Sequence, residues 1–340
     1  MKRFWIAFFL FIAAAALLPA VVTSSFWLDF LTLTLFLALL GQGWNILGGY
    51  GGQFSFGHAI FFGTGAYIQV ILQSKFGISA WTAIPFSVLG GIIIGLFTGF
   101  LSFRYGLRGS YFALITLAFA EAFRILATSA KVVTNGGQGI YISLNREPAA
   151  TLSRLQFNSV EGYYYTALIL TAVSILLAFW IENSRFGAQL MAVRDDEDAA
   201  EALGINAFRT KMTAIGLSGA VTALGGVFYV QKFLLMDPSI AYGPTKSIEM
   251  LIVPIIGGLG TIFGPLVGSI FLHGLGEASK IVTSGLIGDR PGLDLILYGV
   301  ALVLILALLP NGLIGLMKGE WRRPGGKKAK QQTPEAGRDA

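Results

Sequence analysis

The residues able to do chemistry are few, and their spacing restricts them to pairing and docking rather than bond-making. The 340-residue sequence contains two histidines, His58 and His273, and no cysteine. Disulfides, thiol catalysis and Cys-ligated zinc are excluded, and two isolated histidines assemble no metal set. No nucleophile with a base, and no pair of carboxylates, stands at a spacing that catalysis uses. What remains is charge in apolar surroundings. Glu121 and Arg124 stand three residues apart and can pair on one helix face, as can Glu277 and Lys280. An unpaired charge near the centre of a bilayer costs on the order of 3 kcal/mol on insertion scales. Pairing is therefore one reading of Glu121 and substrate contact the other. Glu249, just after Lys246, reads as a boundary acid. Each lone histidine reads either as a hydrogen-bonded packing residue or as a ligand.

The densest cluster of charge is Arg194-Asp-Asp-Glu-Asp-Ala-Ala-Glu-Ala-Leu-Gly204, within a polar stretch from Glu182 to Lys211. Asp195 can cap a helix, with Asp198 three residues on in the capping-box position, and Asp196, Glu197 and Asp198 suit the positive end of its dipole. Gly204 supplies the stop. A helix of roughly two turns is marginal alone in water, so this one needs a surface to dock on, with Ala199, Ala200 and Leu203 as its small apolar face.

The elements around that segment are built for lipid. Hydrophobic residues make up 54% of the chain and charged residues 12%, against roughly 25% charged in soluble domains. Apolar runs occur near 4–23, 27–47, 56–74, 80–103, 109–129, 163–181, 213–235 and 292–310. Residues 247–284 are apolar but broken by Gly257-Gly-Leu-Gly-Thr-Ile-Phe-Gly-Pro265, and read as two helices, one bent helix or a re-entrant segment. The two-helix reading gives about ten spans. It also puts Lys2, Arg3, Arg104, Arg108, Arg185, Arg194, Arg209, Lys211 and the basic tail on one side. Lys75, Lys131, Arg146, Arg154, Lys246, Lys280 and Arg290 fall on the other. The richer side is cytoplasmic by the positive-inside rule, so both termini and the 182–212 loop are expected there. The net charge of +6 reflects this topology rather than nucleic-acid binding. Met1-Lys-Arg and Ala13–Ala16 carry features of a secretory signal, but the apolar run is long for one. An uncleaved first span is expected.

Three further stretches narrow the reading. They are Gly48–Tyr67, opening Gly-Gly-Tyr-Gly-Gly-Gln-Phe-Ser-Phe-Gly-His58, Leu107–Phe119, opening Leu-Arg-Gly-Ser-Tyr-Phe-Ala113, and Gly257–Gly268, opening Gly-Gly-Leu-Gly-Thr-Ile-Phe-Gly-Pro265. Together they resemble the LivM-type permease of branched-chain amino acid ABC transporters over roughly residues 35–315. Asp198-Ala-Ala-x-x-x-Gly204 resembles the EAA loop of ABC-importer permeases, with Asp198 in place of the usual Glu and no Pro after Leu217. The resemblance implies that Arg194, Asp198, Ala199, Ala200, Glu201, Leu203 and Gly204 meet an ATP-hydrolysing subunit. It further implies a LivH-type second permease, two cytoplasmic ATPases of LivG and LivF type, and a periplasmic or lipid-anchored substrate-binding protein. The wider family also includes urea and amide permeases, and a stand-alone secondary transporter is the alternative outside it. The chain has no G-x-x-x-x-G-K-S/T phosphate loop, so ATP falls to the partners and no cofactor is expected here.

The glycine-rich stretch 48–57, with Asn45, Gln53, Ser55 and His58 nearby, reads either as an interrupted helix lining a polar path or as close packing at a turn. Those four residues and Glu121 are the candidate translocation path. The expected fold is all-α: a polytopic membrane domain over 1–318 with a short cytoplasmic coupling helix and an outer loop at 130–162. The basic tail at 319–340 is expected to be disordered.

Overall fold

Lipid offers no partner to a free backbone group, so each apolar run must close its hydrogen bonds within itself. It does so as long helices in the computed structural model, which describes residues 2–144, 155–286, 292–308 and 312–317. The expected disordered tail at 319–340 lies outside the described residues, as do Arg146, Arg154 and Arg290.

The first half contains α1 (Lys2–Val21), α2 (Ser25–Asn45), α3 (Ala59–Phe76), α4 (Ala80–Arg104), α5 (Gly109–Ser129) and the single turn α6 (Lys131–Thr134). After the loop come α7 (Val160–Asn183), two polar helices α8 (Arg185–Asp195) and α9 (Glu197–Ala202), and α10 (Ala207–Phe233). The chain then forms the short α11 (Pro238–Tyr242), followed by α12 (Pro244–Gly257), α13 (Gly264–Leu286), α14 (Leu293–Leu308) and α15 (Gly312–Met317). The stretch 247–284 is thus two helices with a turn between them. Six helices are long and apolar enough to cross a membrane, among the described residues and by length and composition. Together with the all-helical fold they make the chain a multi-pass membrane protein. Within the outer loop, after α6, β1 (Ile140–Tyr141) pairs antiparallel with β2 (Leu235–Met236), Ile140 opposite Met236.

Small residues set the packing. On α4, Gly91, Gly95 and Gly99 recur every four residues and form one stripe. A Cβ on Gly91 would come within 2.6 Å of the Gly219 carbonyl, and one on Gly95 within 2.9 Å of the Ile215 carbonyl. The α4 and α10 backbones therefore touch, running antiparallel. α2 occupies the centre, buried from Ala38 to Asn45, with α10 and α7 against it. Ser218 Oγ donates to the Gly43 carbonyl at 2.7 Å and Thr171 Oγ1 to the Leu35 carbonyl at 2.9 Å. α1 is peripheral and antiparallel to α7: Phe4 stacks on Phe179 at 3.8 Å, while Tyr164 donates to the Ala15 carbonyl at 2.7 Å. The ends of α2 and α10 remote from the polar helices are joined by an ion pair of Asp29 with Lys232.

Candidate functional site

The polar stretch folds through three caps. Ser184 accepts from Gly187 N at 3.0 Å and starts α8. Asp196, in extended conformation, accepts from Ala199 N at 3.0 Å and starts α9. The expected cap at Asp195 is therefore displaced by one residue. Asp195 ends α8, and its carboxylate is occupied by Arg194 at 3.0 Å. Asp198 becomes the second residue of α9 and makes no capping box. At the far end the N–H of Gly204 bonds to the Glu201 carbonyl at 2.9 Å, and that of Ile205 to the Ala200 carbonyl at 3.0 Å. These two bonds form a Schellman stop, with Gly204 at φ +85°.

α9 docks on its own chain through one small contact and one acid. Ala200 packs with Val193, Ala207 and Ile205. Of the expected apolar face only Ala200 packs on the chain itself, while Ala199 and Leu203 point outward, Leu203 being 83% exposed. Glu197, the first residue of α9, receives Lys211 Nζ at 2.5 Å from α10 and Arg108 Nε at 3.1 Å from the turn before α5. The Lys211 side chain is 4% exposed and lies 5.2 Å from the centre of the Phe103 ring. Arg108 also reaches Asp198 at 3.3 Å, while Glu201 is exposed. Arg108, Glu197 and Lys211 were visible in the sequence only as charges, because their partners lie across a turn or on another helix.

Arg194 ties α8 to the bundle. Its Nη1 donates to the Gly49 carbonyl at 3.2 Å. Gly49 lies where α2 loosens into a π turn over Ile46–Tyr50. The same break is clasped to the turn between α12 and α13. Asn45 accepts from Gly260 N at 2.9 Å and donates to the Thr261 carbonyl at 3.1 Å, and Gln42 donates to the Ile262 carbonyl at 3.1 Å. Gly260, at φ +64°, leaves room for both Gly49 and Arg194: a Cβ there would lie 3.1 Å from the Gly49 carbonyl and 3.3 Å from Arg194 Nη1. The two glycine-rich stretches are thus in contact.

The other candidates divide. Ser55 is buried and its carbonyl accepts from Trp44 Nε1 at 2.8 Å. His58 is buried, with Nε2 2.8 Å from Ser218 Oγ. Since Ser218 gives its proton to Gly43, the proton between His58 and Ser218 belongs to Nε2. Gln53 is half-buried at the edge of this group, with Nε2 3.3 Å from the Gly51 carbonyl. Glu121 is not part of it. It pairs with Arg124 on its own helix at 2.5 Å, and both side chains are partly exposed, 43% and 34%. Asn45, Ser55 and His58 therefore form a packed hub, whereas Glu121 faces out of the subunit.

The site is thus a glycine-packed membrane bundle with two touching helix breaks and a charged helix braced on its surface. The chain belongs to the family of permease components of the branched-chain amino acid transport system, whose model matches residues 26–306. It is 27% identical over 90% of its length to the high-affinity branched-chain amino acid transport system permease protein LivM of Escherichia coli, covering 74% of that protein. The LivH permease protein of Salmonella typhimurium is 25% identical, with 82% of this chain and 91% of that protein aligned. The L-arabinose ABC transporter permease protein AraH of Azospirillum brasilense is 26% identical over 60% of this chain and 59% of its own. No solved structure matches the chain.

Proposed function

We propose that this chain is the transmembrane permease subunit of an ABC importer in a bacterial or archaeal cytoplasmic membrane. It forms, with a LivH-type second permease, the path for branched-chain amino acids. Two LivG- and LivF-type ATPases drive it from the cytoplasm, and a periplasmic or lipid-anchored binding protein delivers the solute. The observation that carries this reading is the construction of α9. The helix is fixed to the bundle by Glu197 and Ala200, yet presents Ala199, Glu201 and the 83%-exposed Leu203 to water. An apolar side chain held out on a braced polar helix is what a docking helix for another subunit requires.

The helix directions support ten passes. α1, α3, α5, α10 and α13 run away from the polar helices, while α2, α4, α7, α12 and α14 return. Both termini and α8–α9 then share the cytoplasmic side. Glu121 lies twelve residues into α5, about 18 Å along it at 1.5 Å per residue. That depth is in the hydrocarbon, where an outward-facing ion pair needs a polar neighbour. The second permease supplies it, so Glu121 and Arg124 lie at the permease–permease seam.

Proteoliposomes holding the full set of subunits, with ATP beside the ATPases, test the reading. Labelled leucine, isoleucine and valine accumulate only when ATP and every subunit are present. Gradient-driven uptake by the isolated chain would replace the importer with a secondary transporter. A second reading, the same machinery carrying a sugar, draws on the match to AraH; it predicts that arabinose, not leucine, is accumulated.

A further inference from the structure

A cleft of about 450 Å³ lies between α2, α10, α12, α13 and α14, in the half of the bundle remote from the polar helices. None of Asn45, Gln53, Ser55, His58 or Glu121 lines it. Its floor is apolar, formed by Phe36, Leu37 and Leu272. Five charges stand in its wall, four of them in two ion pairs and the fifth, Asp294, on α14. Lys246 meets Glu249 at 2.7 Å on α12, and Lys280 meets Glu277 at 3.1 Å on α13.

These pairs differ from the ion pairs that join two elements. Glu197 with Lys211 and Asp29 with Lys232 each join two elements and so contribute to packing. The two pairs at the cleft each close within one helix, three residues apart, and leave a cavity between the helices that carry them. Charges inside a membrane protein mark a binding site or pathway far more often than they serve lipid-facing packing. Lys246 is further placed 5.7 Å from the centre of the Tyr229 ring, which holds it toward the cavity. The neighbouring His273 is already engaged, with Nδ1 2.7 Å from Thr34 Oγ1 and its ring stacked on Phe30 at 4.3 Å.

Two parallel dipoles above an apolar floor match a ligand with an ammonium, an adjacent oxyanion and a hydrocarbon part. We propose that this cleft binds such a zwitterion. Its ammonium sits on Glu249 and Glu277, its anionic group on Lys246 and Lys280, and its apolar part on Phe36, Leu37 and Leu272. Two sources share that chemistry: a free branched-chain amino acid from the outer aqueous phase, and the headgroup of a phosphatidylethanolamine from the bilayer.

The test uses the purified permease complex in nanodiscs of phosphatidylcholine, titrated separately with tritiated leucine and with labelled phosphatidylethanolamine. Wild type binds one of the two. Lys246→Met and Glu277→Gln each weaken it about tenfold, the loss expected for one charge-assisted contact. Gly276→Leu supplies an independent probe. A Cβ at Gly276 would have only Tyr298 nearby, at 3.7 Å, so the larger side chain has room to enter the cleft and removes none of its charges. It should abolish binding in a protein that remains monodisperse. Retention of leucine alone identifies an aqueous ligand, and retention of the lipid alone identifies a headgroup. Binding of neither probe by wild type, or binding unchanged in Gly276→Leu, overturns the inference. A complex that imports leucine yet fails this test loses the cleft and keeps the transport reading; one that binds but does not import loses the transport reading alone.

Discussion

Arg194 donates to the Gly49 carbonyl at 3.2 Å, so a side chain from a polar surface helix ends on the backbone of the break in the central helix. This bond is the point at which a displacement of α8 would act on α2. The guanidinium also lies beside Gly260, so the same displacement reaches the α12–α13 turn. Removing the side chain in Arg194→Ala deletes one hydrogen bond to a charged donor, about 1.5–3 kcal/mol. The expected outcome is leucine uptake at least about tenfold lower with basal ATP hydrolysis retained. Lys at this position should not restore uptake, because one ammonium cannot serve both Asp195 and Gly49 as the planar fork does. Parallel uptake and phosphate-release assays on the reconstituted complex check this.

Asn45 and Gln42 clasp the same turn with unequal strength. Asn45 uses both ends of its amide, whereas Gln42 makes one bond and its Oε1 has no hydrogen-bond partner. Asn45→Ala should therefore cost about 1–3 kcal/mol through orphaned backbone groups, and Gln42→Leu distinctly less. Thermal unfolding of the two variants in one detergent gives the comparison. A larger loss for Gln42→Leu would contradict the clasp.

The base of α9 rests on a buried charge. In Glu197→Gln the 4%-exposed Lys211 loses its carboxylate, which for a buried pair costs about 3–5 kcal/mol. Lys211→Met leaves Glu197 still bound to Arg108 at 3.1 Å and should be milder. The double variant should be more stable than Glu197→Gln alone, giving a measurable coupling in a double-mutant cycle.

The α4–α10 contact discriminates between glycines. A Cβ at Gly219 meets the Gly91 carbonyl at 2.5 Å, whereas one at Gly216 meets only side chains at ordinary contact, Leu96 at 3.5 Å and Ile92 at 3.9 Å. Gly219→Ala should destabilise by about 1–3 kcal/mol through overpacking, and Gly216→Ala should fold as wild type. Size-exclusion profiles and melting temperatures of the two proteins decide it.

The spans were legible because runs of about 20 apolar residues mark them directly. Their edges were not always so. α10 begins at Ala207 rather than near 213, because Lys211 is buried by pairing with Glu197, which a hydropathy pattern reads as an interruption. The α9 helix was legible from its acids and Gly204, but in the run of four acids, Asp195 to Asp198, more than one can take the cap. Arg194 decides the matter by occupying Asp195. Helical spacing groups Ala199, Ala200 and Leu203 on one apolar face, but it does not say that Ala200 alone packs on the chain itself. The contacts of Arg194 with Gly49, Asn45 with Gly260 and Arg108 with Glu197 were not legible at all. Each joins residues far apart in the chain, and a single sequence records periodicity and local caps, not which distant backbone a polar side chain will reach. Residue type places Glu121 among the candidates for the translocation path, and its spacing from Arg124 allows the pair that the structure forms; the orientation of α5 separates it from Asn45, Ser55 and His58.

The docking of α9 on an ATPase is tested most directly by Leu203→Asp. Leu203 lies outside the helix's own buried contacts, so the variant should fold normally, whereas a change at Gly204 would also strain its positive φ. The measurement is co-purification of the ATPases with the tagged permease from solubilised membranes, together with ATP-dependent leucine uptake after reconstitution. The account predicts a folded, membrane-inserted variant that retains few or no ATPase subunits and has lost uptake. Wild-type recovery of the ATPases with unchanged uptake would contradict it.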